Sequence, residues 1–206
     1  MSDVRFWNAI ARKYAARPLD DPASYEAKLA RLRDLLGPDD TVLEVACGTG
    51  STALHLAPHV GRMVATDLSP EMIAIAEERK AERGNPPATF HIAPADAPLP
   101  GEAPYDAILA FSLLHLLDDM PGTLAALHAR LRPGGLFISK TICLGGSKIW
   151  LWPVIGAMRL VGKAPPVRFI RRAPLVRAIK AAGFDIVEVS HFGKQTYAPF
   201  IVARKP

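Results

Sequence analysis

The segment Val42–Gly50 constrains the fold more than any other part of the chain. Its first five residues, apart from Glu44, are apolar and partly β-branched, as in a buried strand, and glycines follow at positions 48 and 50. Glycine lets a backbone adopt positive φ and approach a ligand closely. A strand, a glycine turn and then the helical pattern of Thr52–His59 predict the first unit of an open α/β sheet.

The alternation of strands and helices continues along the chain. Apolar runs predict strands at Thr41–Ala46, Arg62–Asp67, Thr89–Ala93, Tyr105–Phe111, Leu136–Ile142, Phe184–His191 and Tyr197–Ala203. Helical patterns cover the first 40 residues, Glu71–Arg83 and Met120–Leu131. This alternation predicts parallel strands with right-handed crossovers. A short connection containing Gly193 separates the last two strands and favours an antiparallel hairpin.

The length and composition fit one α/β domain, since the chain has 206 residues and half of them are apolar. Its longest apolar stretch, residues 107–117, is shorter than the roughly 18 to 20 residues that cross a bilayer. The first ten residues lack the apolar run of a secretory leader, so we expect a soluble chain in the cytoplasm. Cys47 and Cys143 are too few for a disulfide framework and too far apart for a zinc site, so we expect reduced thiols and no metal.

Charge is distributed unevenly along the chain. Only 2 of the 20 acidic residues, but 14 of the 25 lysines and arginines, follow Ala129. Such an asymmetry favours an anionic small substrate, an acidic membrane surface or nucleic acid as a partner of the last third. The alternative is a solvated basic face that has no specific partner.

Three carboxylates follow or lie within the first three predicted strands. Glu44 lies inside the first strand, Asp67 ends the second, 17 residues after Gly50, and Asp96 follows the third. Ligands of open parallel sheets bind beyond the carboxyl ends of the strands, where the strand order reverses. The glycine turn and these acids together predict an adenosine site, with Asp67 accepting hydrogen bonds from a ribose diol.

Dinucleotide binding is an alternative, because Gly48, Gly50 and Ala53 also satisfy the relaxed G-x-G-x-x-G/A pattern of nicotinamide enzymes. Against it, a charged Glu44 lies in the strand before the turn, and no tyrosine is followed four residues later by a lysine. A phosphate loop is excluded because Gly-Lys-Ser/Thr does not occur.

Four segments resemble, in order, the motifs of class I S-adenosylmethionine-dependent methyltransferases. They are Glu44–Gly50, Thr66–Met72, Ala95–Pro100 and Leu131–Ser139. Within that family the chain is similar to the small-molecule branch that includes ubiquinone and menaquinone C-methyltransferases. The resemblance implies a Rossmann-like, doubly wound sheet of seven strands in the order 3-2-1-4-5-7-6, with strand 7 antiparallel and helices on both faces.

The resemblance also suggests how the domain is divided. We expect one methyltransferase domain over residues 1–206. It would consist of an N-terminal helical cap (1–40), a cofactor-binding core (41–142), an inserted apolar and basic lid (145–172), and a C-terminal helix with the hairpin (173–206).

A binding role for S-adenosylmethionine is implied for twelve residues. The methionine end would contact Ala46, Gly48 and Gly50, and its amino group would contact Glu44. The ribose hydroxyls would contact Asp67, the adenine faces Leu68 and Met72, and the adenine amino group Asp96 beside Ala97. The sulfonium would lie next to Phe111 and Ser112, and the aromatic ring of Tyr14 would close over the cofactor. Tyr14 is also a candidate catalytic residue. The alternative for Tyr14 is a packing role on an amphipathic helix.

His115 follows the fourth strand and is the candidate base or substrate contact, because its ordinary pKa is near neutral. The alternative is a hydrogen-bonded structural histidine. His191, on a late strand, is a weaker candidate.

The segment 145–172 combines Trp150 and Trp152 with a basic run that includes Lys163, Arg168 and Arg172. One interpretation is a lid, with Trp150, Arg168 and Arg172 contacting a lipophilic or aromatic acceptor that bears a carboxylate or phosphate. The alternatives are a helix pair packed on the sheet and an interfacial contact with a membrane.

The fourth strand ends Ala110-Phe-Ser-Leu-Leu rather than in the Asn/Asp-Pro-Pro-aromatic motif of relatives that methylate nucleobase amines, so nucleic acid is not favoured. The sequence therefore predicts a methyltransferase that acts on a small organic acceptor. A cofactor-binding regulatory protein and a nicotinamide oxidoreductase remain the alternatives.

Overall fold

Seven strands form one sheet in the computed structural model, which describes residues 4–99, 104–146, 148–160, 164–165 and 167–206. The strands are β1 (Thr41–Val45), β2 (Arg62–Asp67), β3 (Ala88–Ile92), β4 (Tyr105–Phe111), β5 (Leu131–Lys140), β6 (Asp185–Ser190) and β7 (Phe200–Arg204). The helices are α1 (Val4–Ala15), α2 (Pro22–Leu35), α3 (Ser51–Leu56), α4 (Pro70–Glu82), α5 (Met120–Arg130), α6 (Trp152–Leu160) and α7 (Arg172–Ala181).

The strand order is β3-β2-β1-β4-β5-β7-β6, which confirms the predicted architecture. Strands β1 to β5 pair in parallel, and β7 is antiparallel to both β5 and β6. The order reverses between β1 and β4, because β1 leads to β2 on one side and neighbours β4 on the other. A crevice for ligands is expected at the carboxyl ends of these two strands.

Apolar side chains cover the sheet on both faces. One cluster joins Leu29 and Leu32 of α2 to Val42 and Phe200. The other includes Leu43 with side chains of α5 and α7. Central strands buried on both faces need continuous apolar runs, which is why β1 and β4 were recognisable in the sequence.

Most boundaries differ from the prediction by one to three residues, β7 beginning at Phe200 rather than Tyr197, and the start of β5 differs most. Strand β5 begins at Leu131, five residues before the predicted Leu136, because Leu131 pairs with Tyr105 across a register shift that accommodates Pro133–Gly135. Proline and two glycines are ordinarily signs of a loop, and they concealed this start. Helix α5 accordingly ends at Arg130.

The predicted lid is only partly described. Residues 149–151 form a 3₁₀ turn that leads directly into α6, whereas residues 147, 161–163 and 166, including Lys163, lie outside the described residues. Among the helices that the structure describes, none has the length and apolarity that crossing a bilayer requires.

Helix α1 packs against α4 and brings the N-terminal segment to the sheet edge. Ala11 lies in an apolar cluster with Met72 and Ile75 of α4. The Arg12 guanidinium donates to Glu78, with Nη2 and Oε1 2.7 Å apart. These contacts place the end of α1 beside the carboxyl ends of β1 and β2.

Candidate active site

A cavity of about 730 Å³ opens along the carboxyl edge of the sheet. Its walls extend from Asp96, which follows β3, to Gln195, which precedes β7. Helices α1 and α2 contribute Tyr14 and Lys28 from outside the sheet. The volume lies within the range of about 300–1,000 Å³ that is usual for ligand pockets, at the location where α/β sheets bind ligands.

The turn after β1 is held in a left-handed backbone conformation. Ala46, Gly48 and Gly50 have φ of 54°, 55° and 73°. A Cβ on Gly50 would lie 2.8 Å from the Phe90 ring, whereas a Cβ on Gly48 would meet no atom within 4 Å. Gly50 therefore permits close packing beneath the turn, and Gly48 leaves open space beside the cavity.

The carboxylate of Asp67 is fixed at the end of β2 by two backbone donors. Its Oδ2 accepts from the N–H of Gly48 and its Oδ1 from the N–H of Ser69, both at 2.9 Å. Burial raises the pKa of Asp67, while the hydrogen bonds from these N–H groups act in the opposite direction. Each carboxylate oxygen has lone pairs left for a ligand.

Glu44 is almost completely buried in β1, with 3% of its surface exposed, and it lines the cavity. Its Oε2 has no hydrogen-bond partner among the residues described. Burial raises the pKa of Glu44, and the charge of Lys28 opposes this shift. An unsatisfied buried carboxylate oxygen is costly, so this atom is suited to a cationic donor from a ligand.

Sequence reasoning missed the lysines of the site. Lys28 of α2 is 6% exposed, and its Nζ donates to Thr52 Oγ1 at 3.1 Å. Lys140, at the end of β5, is half-buried and also lines the cavity. One signal was available: Lys28 lies midway between Ser24 and Leu32 at four-residue spacing, and all three are buried.

The structure brings ten of the twelve predicted cofactor residues to this one cavity. They are Tyr14, Glu44, Ala46, Gly48, Asp67, Leu68, Met72, Asp96, Phe111 and Ser112. Gly50 and Ala97 do not line it. Gly50 instead packs against Phe90 and Ala76 beneath the turn.

Tyr14 is half-exposed as a residue and reaches the cavity from the end of α1. Burial and then the neighbouring charge of Asp67 raise the pKa of its hydroxyl. Ser112 follows β4 with φ of 54°, a conformation that is costly for a residue with a side chain. Strained residues of this kind concentrate at functional sites.

His115 does not line the cavity, so the structure lends no support to its role as a base, which stays a prediction. It lies in a 3₁₀ turn, Leu114–Leu116, and is 5% exposed, with its Nδ1 unpaired among the described residues. Burial lowers its pKa to about 4. Leu113 and Leu116 line the cavity instead, because residues three apart in a 3₁₀ turn share a side and those between them do not.

The predicted acceptor contacts Trp150, Arg168 and Arg172 do not line the cavity either. Trp150 is 62% exposed. Arg168 Nη1 donates to the carbonyl of Leu117 at 3.2 Å, so Arg168 contacts a residue of the cavity wall without lining the cavity itself. Arg172 borders a separate space of about 220 Å³ beside Cys143.

The remaining sequence candidates have no part in the cavity. His191 is exposed. Within the described ranges, no group of three histidine, cysteine, aspartate or glutamate side chains is arranged to hold a metal ion. The membrane contact proposed for Trp150 and Trp152 stays a prediction.

Comparison with known proteins identifies the family. Residues 43–137 match a family described as a methyltransferase domain. A ubiquinone biosynthesis O-methyltransferase of Methylocella silvestris is 33% identical over 147 residues, which cover 68% of this chain and 56% of the relative. The chain belongs to the class I S-adenosylmethionine-dependent methyltransferases.

Further relatives agree with this methyltransferase assignment. A malonyl-[acyl-carrier protein] O-methyltransferase of Serratia marcescens is 30% identical over 164 residues, 73% of this chain and 61% of the relative. The chain thus spans about three fifths of the length of these curated relatives. Magnesium protoporphyrin IX methyltransferase from Synechocystis, solved with bound S-adenosylhomocysteine, shares the fold at 15% identity, with a TM-score of 0.74 over 98% of this chain and 97% of that one.

S-adenosylmethionine is the cofactor of this methyltransferase family, and the cavity residues fit it. The unsatisfied Oε2 of Glu44 suits an ammonium group, and the fixed carboxylate of Asp67 suits a diol. The open space beside Gly48 lets a ligand approach the backbone. The family prediction is confirmed, and the comparisons do not favour the nicotinamide alternative.

Proposed function

We propose that the chain transfers the methyl group of S-adenosylmethionine to a small organic acceptor bound in the same cavity, with S-adenosylhomocysteine as the second product. The observation that carries this proposal is the extent of the cavity. Its wall includes the predicted nucleoside-binding acids on the β2 and β3 side and continues beyond β4 to Lys140 and Gln195. The residues assigned to the cofactor do not include the part of the wall beyond β4.

Three kinds of contact would hold the cofactor. Glu44 would accept from the amino group, Asp67 from the ribose hydroxyls and Asp96 from the adenine amino group, while Leu68 and Met72 would contact the adenine faces. When bound, S-adenosylmethionine supplies a methyl group that its sulfonium already activates. The remaining work of the chain is to position the acceptor in line and to exclude water, which can lower the barrier by several kcal/mol.

The described walls favour an acceptor with an apolar or aromatic body. Leu113, Leu116 and Leu117 line the cavity after β4, and the aromatic residues Tyr25 and Phe111 line it as well. Both curated relatives named above are O-methyltransferases, which favours oxygen as the accepting atom.

The proposal is tested in two steps. Calorimetric titration should show binding of S-adenosylhomocysteine and no binding of NADH, and incubation with methyl-labelled cofactor and a fractionated metabolite extract should yield a labelled small molecule. Tight binding of NADH alone would contradict the cofactor. Cofactor binding without any transfer to the extract would favour the regulatory alternative.

A further inference from the structure

Lys28 has more hydrogen-bonding capacity than its surroundings use. Its ammonium carries three N–H donors. In the described part of the chain, it donates to the hydroxyl of Thr52 and otherwise lies over two rings, 4.6 Å from the centre of Tyr25 and 4.3 Å from that of Phe111. Burying a charged group with so few partners is unfavourable unless a further partner arrives. Lys28 lines the cavity, so that partner can be a ligand.

Lys140 places a second ammonium on the same wall. Lys140 is the last residue of β5 and pairs with Phe111, the last residue of β4. The positive charge of Lys140 lowers the pKa of Lys28, so the two ammonium groups repel each other. Burial lowers the pKa of Lys140, and the charge of Asp21 opposes that shift. The carboxylate of Asp21 is already engaged by the N–H of Ser24 at 3.0 Å and by its hydroxyl at 2.6 Å.

Two carboxylates oppose the charges of the two lysines, and Asp21 is the one that acts on Lys140. Glu44 is the buried carboxylate that offsets Lys28. If Glu44 accepts from the cofactor amino group, as proposed above, the corner between α2 and β5 keeps an excess of positive charge. The wall then carries Asp67 and Asp96 on the side of β2 and β3, and the two lysines with Asp21 on the side of α2 and β5.

We propose that Lys28 and Lys140 bind an anionic oxygen group of the methyl acceptor, while Tyr25 and Phe111 contact the body of the same molecule. This inference rests on the proposed methyl transfer and adds the charge of its substrate. It also replaces Arg168 and Arg172, which the sequence offered for this task and which lie outside the cavity. A carboxylate and a phosphate share the required chemistry, since both present several acceptor oxygens to an ammonium.

The test uses the full chain saturated with S-adenosylhomocysteine and three probes that share one ring system: 1-naphthoate, 1-naphthyl phosphate and the neutral 1-naphthamide. Ligand-observed NMR titration measures each affinity. We expect at least one anion to bind about tenfold more tightly than the amide, which is the scale of one charge-assisted hydrogen bond. The tighter of the two anions identifies the group that the acceptor carries.

Variants test whether the two lysines cause the preference for the anion. Lys28→Met and Lys140→Met should each reduce the preference for the anion about threefold, because the two lysines share it, whereas Lys140→Arg should keep it. Lys180→Met on the exposed side of α7 is the matched control. Lys140→Met serves if Lys28→Met does not fold. Equal binding of anions and amide by the wild type, no binding of either anion, or an unchanged preference in Lys140→Met would each overturn the proposal. Failure of the wild type to bind S-adenosylhomocysteine would instead contradict the proposed function.

Discussion

Two residues at the cavity carry ionisable side chains that are largely shielded from water. Glu44 and Lys28 are both buried, and burial shifts the pKa of each toward its neutral form. Neither carries a full set of hydrogen bonds within the described structure. A site that leaves such groups partly unsatisfied is prepared for ligands with matching charge, because binding then recovers part of the cost of burial.

Asp67 provides the first test at this scale. Asp67→Asn keeps the shape of the side chain but removes its charge. Because the carboxylate accepts from two backbone N–H groups, the amide NH₂ of the asparagine would face one of these donors. We expect binding of S-adenosylhomocysteine to weaken about 10- to 100-fold, as for the loss of charged hydrogen bonds. Calorimetry measures this loss, and Asp185→Asn, at the exposed start of β6, is the control. Wild-type affinity in Asp67→Asn would reject the assignment of the ribose.

His115 provides the second test, through pH. Its pKa is about 4 in the folded chain and about 6.5 when unfolded, so the unfolded state binds the proton more tightly. The stability that neutral His115 contributes is complete above pH 6.5 and is lost as the pH falls from there toward 4. Between pH 7 and pH 5 this loss is roughly 2 kcal/mol.

Urea unfolding at the two pH values measures this effect. His115→Gln should reduce the loss of stability between pH 7 and pH 5 by about 2 kcal/mol relative to the wild type, whereas His59→Gln, at an exposed position, should not change it. An unchanged difference in His115→Gln would contradict the burial of the ring. We also expect the pH profile of methyl transfer to remain the same in His115→Gln, because the ring lies outside the cavity.

At the scale of elements, the turn between β1 and α3 separates packing from binding. Gly50→Ala would push a Cβ against Phe90 and Ala76 and also carry a side chain at positive φ, so we expect the free energy of unfolding to fall by about 2–4 kcal/mol. Gly48→Ala meets open space and should cost only about 1 kcal/mol.

For cofactor affinity we expect the reverse order, with the larger loss in Gly48→Ala. The new methyl group of Gly48→Ala lies beside the cavity and the N–H that holds Asp67, so binding of S-adenosylhomocysteine should weaken about tenfold. Chemical denaturation and calorimetry on both proteins check this. Equal effects on stability in the two variants would show that the turn is not divided in this way.

The elements that the sequence predicted best are those whose local pattern matches their tertiary role. β1 and its glycine turn were recognisable because burial on both faces and positive φ each leave a local signature. The start of β5 was hidden because its pairing with Tyr105 tolerates Pro133 through a register shift, which only the partner strand reveals. Element type is a local property, whereas register is not.

Side-chain direction in irregular segments was the least predictable feature. His115 and Leu116 are adjacent in one 3₁₀ turn, yet Leu116 lines the cavity and His115 does not. Lys28 and Leu32 are both buried residues of α2. A pattern of apolar residues at helical spacing does not include a lysine, so it did not indicate that Lys28 is buried. The sequence correctly predicted that Asp67, which ends β2, and Asp96, which follows β3, lie at one cavity, because the carboxyl ends of parallel strands meet at one edge of a sheet.

At the scale of the whole molecule, both apolar layers share the strands of one sheet. Leu43 and Val42 are neighbours in β1 and pack into opposite layers. Loss of either layer exposes the same strands, so we expect the two layers to unfold together. Binding at the sheet edge, which joins β1, β2 and β4, should therefore stabilise the entire chain rather than one part of it.

This coupling gives the last prediction. At a concentration of S-adenosylhomocysteine one hundred times its Kd, the folded state gains about 2.7 kcal/mol. For a chain of this length that gain corresponds to an increase in Tm of about 5–10 °C. Differential scanning calorimetry should show one transition that moves as a whole, while NADH at the same concentration leaves it in place. Two transitions, of which one moves, would show that the layers unfold separately, and a shift with NADH alone would contradict the methyltransferase cofactor.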